Sequence, residues 1–153
     1  MNCMVRTETP NKSDIQHHYA GIIIITESGK FVGQRRDNKP TIDNPNLIGT
    51  FGGTVEESES PREAAWRELT QEETNLIIDI DTLQFLFEDI SWCKLTDEWE
   101  VRHFYLVRIN DKELNNMEVY EGQGWAYIEG PDDPDLIELW RPVIHKAYKL
   151  IAI

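Results

Sequence analysis

The run Ala20 to Thr26, AGIIIIT, constrains the fold more than any other stretch of this chain. It is apolar and rich in β-branched residues, so it reads as a well-buried strand. The ESGK that follows is a turn, and FVGQRR returns as a second strand to complete a hairpin.

Residues Asp37 to Asn46 carry Asp, Asn, Lys and Pro, the composition of a surface loop, and loops of this length often serve function. The loop leads into LIGTF and the pair Gly52-Gly53. Ser60, Pro61 and Glu63 then form a helix start: a capping Ser, a Pro at the first helical position and a Glu at the third. The spacing predicts a helix from Pro61 to about Thr74, packing on Ala64, Ala65, Leu69 and Trp66 and closed by a left-handed Asn75. Beyond it, LQFLFEDISW and WEVRHFYLVRI read as two strands joined around Lys94 to Glu98, and GWAYIE as a further strand. The tail DLIELWRPVIHKAYKLIAI is helical in pattern, interrupted or restarted at Pro142. This order implies an α/β or α+β sandwich with a mixed β-sheet between helices.

With 153 residues, 40% of them hydrophobic, the chain reads as a single domain over 1–153, with residues 1–16 as a loose polar lead-in. Its net charge of −13 repels duplex nucleic acid, whereas a small phosphate-bearing ligand could bind if divalent cations neutralise the contact. Cys3 and Cys93 imply neither a disulfide framework nor a zinc site. No signal-peptide core is visible, and the longest aliphatic run, Ile22 to Ile25, is too short for a bilayer, so a soluble cytoplasmic protein is expected. His17 and His18 look like a metal pair, but beside the polar tail they read as solvent-exposed.

GGTVEESESPREAAWRELTQEETNL, Gly52 to Leu76, holds seven acidic residues. On a regular helix each residue advances ~100°, so Glu68 and Glu72 share a face and repel. A solvated surface is the plain explanation. The glycine pair, however, allows close approach of backbone, and hard cations such as Mg2+ prefer carboxylate and carbonyl oxygens.

Gly53, Glu59 and Arg67-Glu68-Leu69 stand at spacings that resemble the Nudix hydrolase signature, Gx5Ex7REUxEExGU with U aliphatic. The second half departs from it, because RELTQEETNL has one residue too many. An ungapped reading puts Gln71 and Glu72 at the two glutamate positions. A gapped one puts Glu72 and Glu73 there, and a π-bulge would bring Glu73 to the metal face. Glu68 and Glu72 serve under both readings, and the choice between Gln71 and Glu73 stays open.

The resemblance implies the α/β/α Nudix sandwich and metal-dependent hydrolysis, with Mg2+ or Mn2+, of the phosphoanhydride in a nucleoside diphosphate linked to another group. Nucleoside triphosphates and nucleotide sugars lead, with ADP-ribose and dinucleoside polyphosphates open. It further implies Gly52, Glu68, Glu72 and Glu121 as metal ligands and Glu72 or Glu121 as the carboxylate that activates water. Gly53, Glu59 and Arg67 would form the structural box, and either Arg35 or Arg36 would contact phosphate. Trp92, Trp99 and Phe104 would stack on a base or pack in the core, and a homodimer is possible. The second reading is a nucleotide-binding or regulatory module that has lost catalysis, motivated by the irregular second half.

Overall fold

In the computed structural model, residues 8–151 are described; Cys3 and the last two residues of the predicted terminal helix lie outside them. The apolar run becomes β1 (His17–Thr26). Along one edge β1 pairs in parallel with β6 (Glu98–Ile109) over its whole length, from His17↔Glu100 to Thr26↔Ile109. The other edge is shared. Tyr19 to Ile22 pair antiparallel with β4 (Phe51–Thr54), and Ile24 and Ile25 pair antiparallel with β2 (Phe31–Arg35). β3 (Ile48–Gly49) and β7 (Trp125–Ile128) both join β2, while β5 (Gln84–Cys93) forms the far edge against β6.

Alternation along β1 explains why the sheet needs cover on both sides. Ala20, Ile22 and Ile24 pack with Phe51 and with Ala64 and Ala65 of α1 (Pro61–Arg67). Ile23 and Ile25 face the other way, with Val143, Ile144 and Ala147 of α3 (Arg141–Ile151). Each fully buried Ile or Leu in these layers contributes about 1.5–3 kcal/mol. The result is an α/β/α sandwich around a mixed, curled sheet.

The sequence pattern misses α2 (Asp111–Asn115), although its capping box, Asn110 with Glu113, is written in the chain. Short 3-10 turns at Lys12–Asp14, Ile80–Thr82 and Glu138–Trp140 are also unannounced. The last of these leads into α3 at Arg141, next to the Pro142 where the sequence places a break. Among the described residues no helix is long and apolar enough to cross a membrane.

Three expectations are corrected. The lead-in is not loose throughout: Ile15 is 7% exposed and Lys12 pairs with Glu88 of β5. His17 and His18 lie within β1 and are half-buried, so the polar tail ends before them. Strand alternation parts the two rings, with His17 Nε2 at 3.1 Å from Glu100 Oε2 and His18 Nδ1 at 2.9 Å from His103 Nε2. Asn75 does not close the acidic helix in a left-handed conformation. Thr74 does so in extended conformation (φ −141°, ψ 171°), and Asn75 instead holds Asn116 O and Glu118 N–H with its side chain.

Of the three aromatics offered for stacking, Phe104 is fully buried in the layer beneath α3. Trp92 and Trp99 meet each other across the β5–β6 hairpin, edge to face at 5.5 Å between ring centroids. Cys93, half-buried, carries a free thiol.

Candidate metal and phosphate site

Ser60 builds the start of α1: its Oγ accepts from Glu63 N–H at 3.1 Å, and Glu63 Oε1 accepts from Ser60 N–H at 2.8 Å. Ala64, Ala65 and Leu69 lock the helix onto the sheet, which fixes the rotation of everything after them. After Arg67 the helix changes pitch and runs as a π-turn over Glu68–Glu73. Thr74 N–H reaches back five residues to Leu69 O at 3.0 Å, and Thr74 Oγ1 donates to the same oxygen at 2.7 Å.

This turn sets where the two candidates of the acidic run, Gln71 and Glu73, point. On a regular helix, Glu73 would stand about 140° from Glu68. In a helix closed by bonds to the fifth residue back, the two come onto one side. Glu73 Oε1 accepts from Gly52 N–H at 2.8 Å, and Gln71 is exposed. Glu68 lies over Gly53 so closely that a Cβ there would sit 2.2 Å from its Oε2. The Gly52-Gly53 pair therefore receives two carboxylates, one on each residue. Gly52, at φ +150°, is in a conformation that side-chain-bearing residues rarely take.

Arg67 faces several carboxylates at once. It grips Glu59 with two bonds, Nη2 to Oε1 at 2.7 Å and Nε to Oε2 at 3.0 Å, and it reaches Glu68 Oε2 at 3.2 Å and Thr54 O at 3.2 Å. Glu56 and Glu72 stand at 3.9 Å. Its guanidinium holds the Glu59 carboxyl below the usual carboxylate range, and Glu59 in return raises the Arg67 pKa further. Glu68 is shifted the other way by burial, in spite of Arg67. Glu73 is pushed up to about 8, first by burial and then by the charges of Glu68, Glu121 and Glu72, with the Gly52 N–H opposing.

A hard divalent cation suits this donor set, which is all oxygen, with its most buried member, Glu73, held by the Gly52 backbone N–H. Among the described residues no three His, Cys, Asp or Glu side chains stand already gathered at coordinating spacing. Arg67 holds Glu68 and the Gly52 N–H holds Glu73, the places that a cation would take over. At Gly52 the contact seen is thus through N–H.

Tyr120 N–H donates to Glu73 O at 2.8 Å, which hangs the turn carrying Glu121 from the end of the π-turn. Glu121 is exposed. It borders an open cavity of about 490 Å3 together with Gln34, Arg36, Asp37, Ile42 and Tyr120. Arg36, just past β2, is the arginine of the pair that lines this space. Arg35 is committed elsewhere, with Nη1 donating to Asn46 O at 2.8 Å and Nη2 at 3.2 Å from Asp135 Oδ2. The structure thus brings together Glu59, Arg67, Glu68, Glu72 and Glu73 around Gly52-Gly53, with Glu121 near Glu73, Arg36 on the cavity that Glu121 borders, and Arg35 turned to Asn46 and Asp135. Sequence reasoning names neither Tyr120 nor Gln34, since nothing in their spacing marks them.

The NUDIX domain family model matches residues 16–143. Among solved structures, a mutT/nudix family protein from Listeria innocua is 18% identical, with 90% of this chain and 95% of that chain covered and a TM-score of 0.67. An Ap4A hydrolase from C. elegans, solved as a binary complex, is 20% identical over 90% of this chain and 98% of that one, with a TM-score of 0.64. A bifunctional NMN adenylyltransferase/ADP ribose pyrophosphatase from Francisella tularensis, complexed with AMP and a Mn ion, is 16% identical, with a TM-score of 0.59. The match covers 98% of this chain but spans only 43% of that larger protein. A comparison with curated protein sequences returns no match.

Proposed function

Because the chain belongs to the Nudix family of hydrolases acting on phosphoanhydrides, we propose that it is a pyrophosphohydrolase that cleaves a nucleoside diphosphate linked to another group, with nucleoside triphosphates and nucleotide sugars as the leading substrates. The observation that carries this reading is the π-turn, which sets Glu73 on Gly52 beside Glu68 on Gly53. An irregular acidic run was the reason to consider a binding module without catalysis. The extra residue is absorbed by the change of helix pitch, so that reason lapses.

Glu68, Glu72 and Glu73, with the backbone at Gly52, would hold the Mg2+ or Mn2+ ions. When bound, such ions neutralise phosphate oxygens and favour in-line attack by water. Glu121 and Glu72 are both exposed beside the cluster, and either can accept the proton of the attacking water. Arg67 holds the box loop against the helix and does not touch substrate. Arg36 supplies positive charge at the cavity mouth, where an acidic protein otherwise repels a phosphate chain.

Two of the similar structures are an Ap4A hydrolase and an ADP ribose pyrophosphatase, which keeps dinucleotides and ADP-ribose on the panel. The test is phosphate release, after coupling to pyrophosphatase and phosphatase, from nucleoside triphosphates, nucleotide sugars, ADP-ribose and dinucleotides. A signal that requires Mg2+ or Mn2+ and falls about a hundredfold or more in Glu72→Gln is expected. Silence across the panel, with Mg2+ still raising the melting temperature, would move the assignment to the binding module.

Gly53→Ala tests the carboxylate arrangement from the backbone side. A methyl group 2.2 Å from Glu68 Oε2 has to displace that carboxylate. Cation affinity should then fall by roughly tenfold to a hundredfold by calorimetry, the range seen when a ligand loses its support. Wild-type affinity in the variant would remove Glu68 from the proposed set.

A further inference from the structure

The cavity between the 37–46 loop and the 120–124 turn has fixed walls. Arg36 N–H donates to Leu47 O at 2.8 Å, Asn46 N–H to Asp37 O at 3.0 Å, and Arg36 Nε to Asp43 O at 2.8 Å, so the loop is pinned at its base and in its middle. Gln123 clamps the two walls together: its N–H donates to Arg35 O at 2.8 Å, and its Nε2 donates to Arg36 O at 2.7 Å and to Asn46 Oδ1 at 2.8 Å. Gly122, at φ +77°, lies so close to Arg35 O that a Cβ would meet it at 2.4 Å. The opening is preformed, which spares a ligand the entropy of ordering it. Its volume falls within the usual range for small-molecule sites.

Three chemistries border this space. Tyr120, 56% exposed, presents an aromatic ring to it. Asp37 offers a carboxylate, the group that elsewhere accepts hydrogen bonds from ribose hydroxyls. Arg36 offers a cation. The turn that borders the cavity is tied to the carboxylate cluster by the bond from Tyr120 N–H to Glu73 O. We infer that this cavity holds the nucleoside of a ribonucleotide substrate, with the base stacked on Tyr120, the ribose hydroxyls on Asp37 and the nearest phosphate facing Arg36. The inference rests on the hydrolase reading for its substrate, and it makes the 37–46 loop the determinant of which nucleotides enter.

The experiment compares ATP, dATP and inorganic tripolyphosphate in steady-state hydrolysis by wild type, Tyr120→Ala, Tyr120→Phe and Asp37→Asn. Binding of α,β-methylene-ATP by calorimetry is measured alongside. Base stacking on an aromatic ring is worth about 1–3 kcal/mol, so Tyr120→Ala should raise the KM for ATP roughly tenfold more than the KM for tripolyphosphate, and Tyr120→Phe should recover it. Asp37→Asn should narrow the preference for ATP over dATP. Equal rises for ATP and tripolyphosphate, or no rise at all, would overturn the assignment of the cavity. If wild type cleaves none of the three and none of the nucleotide sugars, ADP-ribose or dinucleotides either, the hydrolase reading fails separately. In that case, weaker binding of α,β-methylene-ATP by Tyr120→Ala still supports the cavity, and unaltered binding refutes it.

Discussion

Replacing Glu73 with glutamine is expected to lower hydrolysis about a hundredfold or more while making the metal-free protein more stable, not less, at about pH 8 and above. The two effects share one cause. Glu73 is a buried carboxylate near Glu68, Glu72 and Glu121, and among the described residues the Gly52 N–H is the donor that faces it. Its ionised form is costly to keep in the absence of a cation. Glutamine keeps an oxygen for Gly52 and removes the charge, so it relieves the repulsion and forfeits a proposed ligand.

The pH dependence has a definite sign. The folded pKa is raised from 4.5 to about 8, so the folded state binds more protons than the unfolded one between those values. The stability that this group contributes is fully present below about pH 4.5 and is lost as pH rises through about 8. Melting temperatures of metal-free wild type should decline across that window, and those of Glu73→Gln should decline less. Added Mg2+ should reverse most of the wild-type decline. A variant that melts lower than wild type at about pH 8 without metal would contradict the repulsion on which this expectation stands.

Arg67→Ala should produce the largest loss of stability among substitutions in the site. Both partners of the central pair are mostly buried, with Arg67 18% and Glu59 13% exposed at the side chain. Removing the arginine strands Glu59 and frees Thr54 O, Glu68 and Glu72 from their shared cation. A loss of about 2–3 kcal/mol is expected, or roughly 5–10 °C in melting temperature for a chain of this size. Arg67→Lys should restore little, because an ammonium cannot make the two-point bond to Glu59. Since Glu59 is held below its usual pKa, its contribution is present at neutral pH and fades as pH falls through the folded value. The difference between wild type and Arg67→Ala should therefore shrink in acid. Thermal unfolding followed by circular dichroism measures both.

Much of this was legible in residue order because it depends on local patterns. A run of Ile gives a buried strand, Ser60-Pro61 with Glu63 gives a helix start, and alternation gives the long hairpin of β5 and β6. What escaped depends on tertiary context. His17 and His18 look like tail residues until β6 supplies Glu100 and His103 as their neighbours. Asn75 has the composition of a helix cap, but the turn around Glu118 offered its side chain partners and left closure to Thr74. The choice between Gln71 and Glu73 could not be made from spacing, because it depends on helix pitch. Within that turn Leu69 is fully buried and Glu73 accepts from the Gly52 N–H, two contacts that spacing alone does not show. Tyr120 and Gln34 enter the site only through the pairing of β7 with β2 and the folding back of the turn before it.

The shared edge of β1 separates two kinds of change. β4, with Gly52 and Gly53, hangs from Tyr19 to Ile22, whereas β2, which leads to Arg36 and the 37–46 loop, hangs from Ile24 and Ile25. The two attachments meet the same strand at different heights, and β3 joins them, pairing with β2 through Gln34↔Gly49 and Arg35↔Ile48 and passing directly into β4. On the proposed reading, an insertion within the 37–46 loop reshapes what is admitted while these pairings keep Gly52 and Gly53 in place.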